Sequence, residues 1–360
     1  MIKIALVIDG LAFGGAESGV LRLYHSLNQS TETQCSLFVL GDKLDFPTNQ
    51  ASRIHFVSNK VLLGWRPLKE LILAARLKAA LALHADSFDL VISNTNSANR
   101  ITRKTKIKNV FYFIRNNLEQ EAAKSKRPKR HKALFHDILN NEHCFCVSDE
   151  LKDHLLEGDY IRPNSISLLR NPLNLDSIKT LSLQQNIEIP NEPFLLHIGR
   201  VAPQKRHDVL MEAYANLKEP IQLVCISNKP DELRKIHQSS AAAHKNLILK
   251  PFQKNPYPWI KRAEAVIISS DHEGVSNVML ESLALGTKVV STNCSYGPRE
   301  VMTGRLAKLL VEAGNPGALA EMIDDVINQP VTITIDQIAA FEQTQPEFMI
   351  HQIQKAVELL

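Results

Sequence analysis

Short apolar runs rich in β-branched residues occur in this chain in two series of five, and that doubling narrows the architecture sharply. "IKIALVI", "CSLFVL", "FDLVIS", "NVFYFI" and "CFCVS" precede residue 150; "FLLHIG", "IQLVCIS", "NLILK", "AEAVIIS" and "TKVVST" follow residue 190. Helical patterns lie between them. A strand buried on both faces reads as a continuous apolar run, and strands alternating with helices build parallel sheets covered on both sides. Two such series predict two α/β domains, and 360 residues exceed what one hydrophobic core usually spans. The segment from Leu168 to Phe194 carries three prolines and little periodicity, as a connection between domains should. The expected division is a first domain over 1–172, a hinge over 173–192, a second domain over 193–340, and a closing helix over 341–360 that can cross back to the first domain.

Composition excludes several classes. A hydrophobic content of 44% and a charged content of 22% are ordinary for a water-exposed globular protein, and no apolar stretch reaches the ~18 residues of a membrane span. The first strand follows Met1 directly, without the charged and small-residue flanks of a signal peptide. Cys35, Cys144, Cys146, Cys225 and Cys294 are odd in number and sit mostly in apolar runs, which suits buried thiols in a reducing compartment. Cys144 and Cys146 form Cys-x-Cys, but no second pair follows to complete a metal site. A net charge of +4 without a recognition motif or interleaved aromatics argues against nucleic acid.

Three stretches carry residues suited to chemistry. In "SSDHEGVSNVMLESLALG", Glu273 falls in the loop leaving a buried strand and Glu281 about one turn into the following helix, which Gly286 closes. Ligands of open α/β sheets bind outside the carboxyl ends of the strands. The helical rise between Asn277 and Glu281 is roughly 6 Å, so a ligand reached by both carboxylates is extended, with hydroxyls near each end; a nucleotide-sugar has that shape. Taken alone, the pair reads sooner as a solvated loop glutamate and an exposed helix glutamate. In "LLHIGRVAPQKRHDVLMEAY", a strand ends at Gly199 and Arg200, and Lys205 precedes a helix starting near His207. Cations there can neutralise a diphosphate, Arg as a fork and Lys as a point charge, although a plain surface loop has the same composition. Arg206 and His207 are left to solvent or packing. In "IDGLAFGGAESGVLRLYHSL", Gly14 and Gly15 precede a helix expected near Glu17, and backbone amides there can face an anion. The glycine spacing is neither Gly-x-Gly-x-x-Gly nor a Walker loop.

Read in order, "GGAE" (14–17), "VSDELKDHL" (147–155), "NPLNLD" (171–176), "IGRVAPQK" (198–205), the Glu-x7-Glu run and "GPRE" (297–300) resemble family 4 glycosyltransferases. That resemblance implies the GT-B architecture, two Rossmann-like doubly wound domains facing each other across a cleft. It implies that Arg200 and Lys205 bind the donor diphosphate, that Glu273 contacts the donor sugar, and that Glu281 binds the ribose. Val275, Ser276 and Asn277 join the donor-binding set, with Gly14 and Gly15 beside the diphosphate. "LKPFQKNPYPWIKRA" resembles the family's base-reading segment, which makes the backbone around Phe252 a uracil contact. The family's reaction retains configuration by same-face attack, in which the departing phosphate takes the acceptor proton. No Asp-x-Asp is present, so neither a metal nor another cofactor is expected, and Arg200, Lys205 and the amides near Gly15 would stabilise the leaving group.

On the acceptor side, many family members carry a histidine after the strand that corresponds to "NVFYFIRNN", where this chain has Arg115 and Asn116; these two and Glu17 are the acceptor candidates. Lys124 to Lys132 holds six lysines and arginines in nine residues, and Arg66, Lys69, Arg76 and Lys78 punctuate a leucine-rich helix beside Trp65. Such a surface suits an anionic membrane or a phosphorylated acceptor, as it also suits an ordinary solvated face. The expected activity is transfer of a sugar from a UDP-hexose or UDP-N-acetylhexosamine to a lipid-linked or lipopolysaccharide glycan, in the cytoplasm and at the inner face of the plasma membrane. A UDP-sugar epimerase and a non-catalytic nucleotide-sugar-binding subunit share the architecture and are its rivals.

Overall fold

The computed structural model describes residues 1–12, 14–41, 53–57, 66–84, 87–123, 125–158, 161–239, 246–329, 333–334, 338 and 340–360. The chain divides into two compact units, Met1–Pro172 with Gln343–Leu360, and Leu173–Glu342.

The first unit is built on seven parallel strands: β1 (Ile2–Ile8), β2 (Thr33–Val39), β3 (Ile54–Phe56), β4 (Leu90–Ser93), β5 (Val110–Ile114), β6 (His143–Cys146) and β7 (Ser165–Leu168), in the order β3-β2-β1-β4-β5-β6-β7. Residues Ile4 to Ile8 are completely buried, which is why their run is apolar at every position rather than at alternate ones. Helices α1 (Gly15–Gln29), α2 (Arg66–His84), α3 (Asn96–Thr105), α4 (Leu118–Ala123), α5 (Pro128–Leu139) and α6 (Asp149–Glu157) connect the strands. Their starts are chemically marked. Thr95 accepts from the Ala98 amide, Asn117 from those of Glu119 and Gln120, and Ser148 from that of Leu151, so the first orphan N–H groups of α3, α4 and α6 are satisfied.

The second unit has six parallel strands: β8 (Phe194–Ile198), β9 (Gln222–Ser227), β10 (Leu247–Pro251), β11 (Ala265–Ile268), β12 (Lys288–Thr292) and β13 (Leu310–Val311), in the order β10-β9-β8-β11-β12-β13. Its helices are α7 (Leu175–Ser182), α8 (His207–Ala215), α9 (Pro230–Ser239), α10 (Tyr257–Arg262), α11 (Asn277–Ala284), the short α12 (Pro298–Val301) and α13 (Pro316–Asn328). The completely buried Trp259 packs edge-to-face on Phe194 in its core.

Three differences from the sequence reading have physical reasons. Strands β3 and β13 escaped notice because they hold three and two residues, too few for a period to show, and β7 because its Ser-Ile-Ser-Leu alternates serine with apolar residues instead of forming a continuous apolar run. Part of the stretch 173–192, read as a hinge, is the helix α7 of the second unit; Asn174 caps it through the Ser177 amide, and Leu173 and Ile178 join that unit's core. Helix α1 begins at Gly15, two residues earlier than expected.

The last helix, α14 (Pro346–Glu358), lies against α1 and β7 of the first unit, with Gln354 Nε2 donating to Glu32 Oε2 at 2.8 Å. Arg170 ties down the segment leading into it. Its buried guanidinium donates to Gln343 Oε1 at 2.6 Å, the Val147 carbonyl at 3.2 Å and Asp149 Oδ2 at 3.3 Å. All five cysteines are buried free thiols, and burial pushes Cys146 and Cys294 up to about 12. Among the described residues no helix is long and apolar enough to cross a membrane. Lys126, Arg127, Lys129, Arg130 and Lys132 are exposed, as are Leu68 and Leu71 on α2; Trp65 and Lys124 lie outside the described residues.

Candidate functional site

In each sheet the chain runs outward one way from a central strand and later resumes beside that strand to run the other way. The reversal lies between β8 and β11 in the second unit and between β1 and β4 in the first. Loops diverge at such a point, leaving a crevice beyond the carboxyl ends of the two strands.

In the second unit, the loop after β8 carries Gly199, Arg200 and Lys205, and the loop after β11 carries Glu273. Because β8 and β11 are adjacent strands, these loops start side by side, and they are joined several times over. Lys205 Nζ donates to Glu273 Oε1 at 2.5 Å, and Ser270 Oγ donates to the same oxygen. The Asp271 amide donates to the Gln204 carbonyl at 2.9 Å, Gln204 Nε2 to the His272 carbonyl at 2.9 Å, and Ser269 Oγ to the Lys205 carbonyl at 2.8 Å. Arg206, in a left-handed conformation at φ 46°, bridges Asp208 and Asp271. Glu273 is 8% exposed, so its charge has little water, and the pairing with Lys205 is what makes its burial tolerable.

Behind Lys205 stand two buried histidines. His197 Nδ1–H donates to the Ile267 carbonyl at 2.9 Å, which leaves its Nε2 a bare lone pair, and His207 meets it edge-to-face at 4.9 Å between ring centroids. Burial pulls them down to about 3 and about 4, so both rings are neutral at neutral pH and add no charge beside Lys205. Gly199 fits closely there: a Cβ would stand 3.0 Å from His197 Nε2 and 3.6 Å from Lys205 Cδ.

Glu281, 6% exposed, lies on α11, and Val275, Ser276 and Asn277 form the part-buried entry to that helix. Arg200 is exposed and has no hydrogen bond or ion pair among the described residues, whereas Phe252, just after β10, is half-buried. The loop after β12 packs beneath the Glu273 loop. Gly297, at φ 136°, sits so close that a Cβ would lie 2.3 Å from the Gly274 carbonyl oxygen and 3.0 Å from the Val275 nitrogen.

In the first unit, Gly14 is the N-cap of α1 and Gly15 its first residue, and no side chain caps that end. The Glu17 carboxylate lies over Gly14, where a Cβ would fall 2.3 Å from Oε2. Arg115, one residue beyond β5, donates to Asn171 Oδ1 at 2.7 Å and Asn94 Oδ1 at 3.0 Å, with its guanidinium 4.0 Å over the Phe113 ring. Burial is the main influence on Arg115, drawing it down to about 9, still ionised at neutral pH. Asn116 is half-buried and makes no hydrogen bond with the described residues; the neighbouring Asn117 is the one that caps α4.

Residues 192–329 match the family model described as glycosyl transferases group 1, and this stretch contains the whole Lys205–Glu273 arrangement. The matched stretch lies wholly within the second unit. An N-acetylgalactosaminyltransferase acting on a diphospho-undecaprenol-linked glycan in Campylobacter jejuni is 32% identical over 169 residues, 46% of this chain and 46% of that protein. The chain spans less than half the length of the first curated relatives it matches. Lipopolysaccharide 1,6-galactosyltransferase of Salmonella typhimurium is 24% identical over 339 residues, 89% of this chain and 88% of that one. The crystal structure of Anabaena HepE in complex with UDP and glucose superposes with a TM-score of 0.77 over 100% of both chains at 15% identity, which speaks to fold. Two parallel-sheet α/β domains, with these structural neighbours, make the fold GT-B.

Several residues of the second unit's site were not singled out from sequence. Gln204 and Ser270 lie inside the quoted stretches, but nothing in a spacing marks them as the groups that stitch the two loops together. His197 stood in "LLHIG" as one polar residue in an apolar run, a signal that could have been taken up. Gly297 stood in "GPRE", and its need for a left-handed backbone becomes visible only when the Gly274 carbonyl is seen beneath it.

Proposed function

We propose that the protein is a retaining glycosyltransferase that moves a hexose or N-acetylhexosamine from a UDP-sugar to a lipid-linked or lipopolysaccharide glycan without a metal ion. The observation that carries this reading is the Lys205–Glu273 couple at the β8/β11 reversal of the second unit. Lys205 and Glu273 satisfy each other's charge. A bound donor separates their tasks: the Glu273 carboxylate accepts hydrogen bonds from sugar hydroxyls while the Lys205 ammonium, joined by Arg200, meets the diphosphate. Glu281 takes the ribose and the backbone around Phe252 the uracil. As the glycosidic C–O bond to phosphate breaks, negative charge grows on the leaving diphosphate, and preorganised cations in a site shielded from water stabilise it most. The acceptor oxygen attacks from the same face and its proton passes to the departing phosphate oxygen. Val275, Ser276 and Asn277 orient the donor, with the amides at Gly14 and Gly15 in support. On the acceptor side Arg115, Asn116 and Glu17 serve, and the exposed basic residues of α5 hold the protein against anionic lipid at the inner face of the plasma membrane.

Thermal stabilisation tests the donor class. A ligand that binds only the folded state raises the midpoint. UDP should stabilise the protein while GDP, dTDP and ADP should not, and Glu281→Ala should lose the effect with UDP and UDP-sugar alike, because both present the same ribose. An undiminished UDP shift in that variant would remove Glu281 from the ribose. Sugar transfer should also proceed in EDTA; activity that disappears and returns with Mg²⁺ or Mn²⁺ would overturn the metal-free reading.

A further inference from the structure

The first unit contains a cation that the donor chemistry does not use. Arg115 has its guanidinium stacked on Phe113, and its two hydrogen-bond partners, Asn94 Oδ1 and Asn171 Oδ1, belong to neutral amides. Its Nε is buried without an acceptor among the described residues. A guanidinium offers five N–H donors and keeps its charge in proteins, so two amide oxygens orient this one without quenching it. Burying a charge is costly unless it is paired. Among the described residues, the charged groups whose fields reach Arg115 are Glu17, which favours its charge, and Arg22, which opposes it.

The fold builds this arrangement from distant pieces. Asn94 is fully buried directly after β4, Arg115 follows β5, and Asn171 lies past β7. Asn171 reaches the guanidinium because α1 presents Gly19 to it: a Cβ there would stand 2.5 Å from Asn171 Oδ1. A half-buried guanidinium held in place by two amides, with donors left over, is oriented to recognise an anion.

We propose that Arg115, aimed by Asn94 and Asn171, is the socket for a phosphate group carried by the acceptor. This rests on the glycosyltransferase reading and names the acceptor's chemical class. The planar fork matches a phosphate with two parallel N–H···O bonds, which a lysine could not supply. The phosphate can belong to a polyprenyl diphosphate or to a phosphorylated sugar, and the two sources share this chemistry.

The test is calorimetric titration of the full chain with inorganic phosphate, with UDP held at saturation so that the donor diphosphate site is filled. Wild type should bind phosphate, Arg115→Gln should bind it at least about 10-fold more weakly, and Arg115→Lys should fall between, retaining charge but losing the fork. UDP stabilisation measured on each variant certifies that it is folded; if the glutamine variant fails that check, the lysine variant decides. Competition by a short-chain polyprenyl diphosphate in detergent and by glucose 6-phosphate then assigns the source, the better competitor naming it. No phosphate binding by wild type, or equal affinity in wild type and the folded variants, would overturn the socket. Failure of UDP to bind wild type would instead remove the glycosyltransferase reading, since phosphate binding does not depend on it.

Discussion

Lys205→Ala should lower kcat for sugar transfer by about 10²-fold or more while changing UDP affinity by less than about 10-fold. The asymmetry follows from when the interaction matters. The ammonium meets a diphosphate already charged in the bound donor, but its largest contribution comes as the glycosidic bond breaks and further charge gathers on the leaving oxygen. A group that binds the transition state more tightly than the ground state shows its loss in kcat. The variant leaves Glu273, 8% exposed, with Ser270 but without its cation, so its burial becomes less favourable. Steady-state rates beside UDP titrations check this. Equal turnover in variant and wild type would remove Lys205 from the leaving-group role, and a loss confined to UDP affinity would make it a binding residue only.

Gly297→Ala should abolish donor binding and destabilise the second unit by about 2 kcal/mol or more, although no role in chemistry is assigned to residue 297. Two penalties coincide. At φ 136° a side chain is strained whatever the space around it, and here the space is filled: a Cβ would meet the Gly274 carbonyl oxygen at 2.3 Å. Backbone on both sides must shift, and what shifts is the Glu273–Ser276 loop that enters α11. Denaturant midpoints and UDP titrations of the variant read the two effects. Alanine at the other positive-φ glycine with open surroundings, Gly304 at φ 53°, provides the comparison, because nothing lies within 4 Å of its Cβ. A Gly297→Ala protein that bound UDP as wild type does would show that this loop tolerates displacement.

Much of the second unit was readable locally. "AVII" within "AEAVIIS" had to be a buried strand because all four of its positions are apolar, and "NVMLESLALG" had to be a helix ending at Gly286, which does stand at φ 75°. Glu273 and Glu281 follow from those limits, since a strand end and a helix turn fix where each side chain starts. The first unit was less legible at its site. "NVFYFIRNN" announced a strand and then polar residues, but which of Arg115, Asn116 and Asn117 faces the sheet's edge depends on the loop: Arg115 turns in toward two amides, and Asn117 caps a helix.

What the sequence by itself determined is the pair of α/β units and the identity of the loops that leave their strands, because apolar runs, helix caps and glycine stops act over a few residues. The tertiary structure alone decided which loops meet. Lys205 and Glu273 are 68 positions apart, and Arg115 and Asn171 are 56 apart; sheet order brings each pair together. Strand order arises from the packing of whole elements, in which helix α14 returns to α1 and β7 and the connection at 173–192 supplies a helix to the second core. Such contacts carry no local period, so the pairing that couples a buried carboxylate to its cation could be seen only in the folded chain.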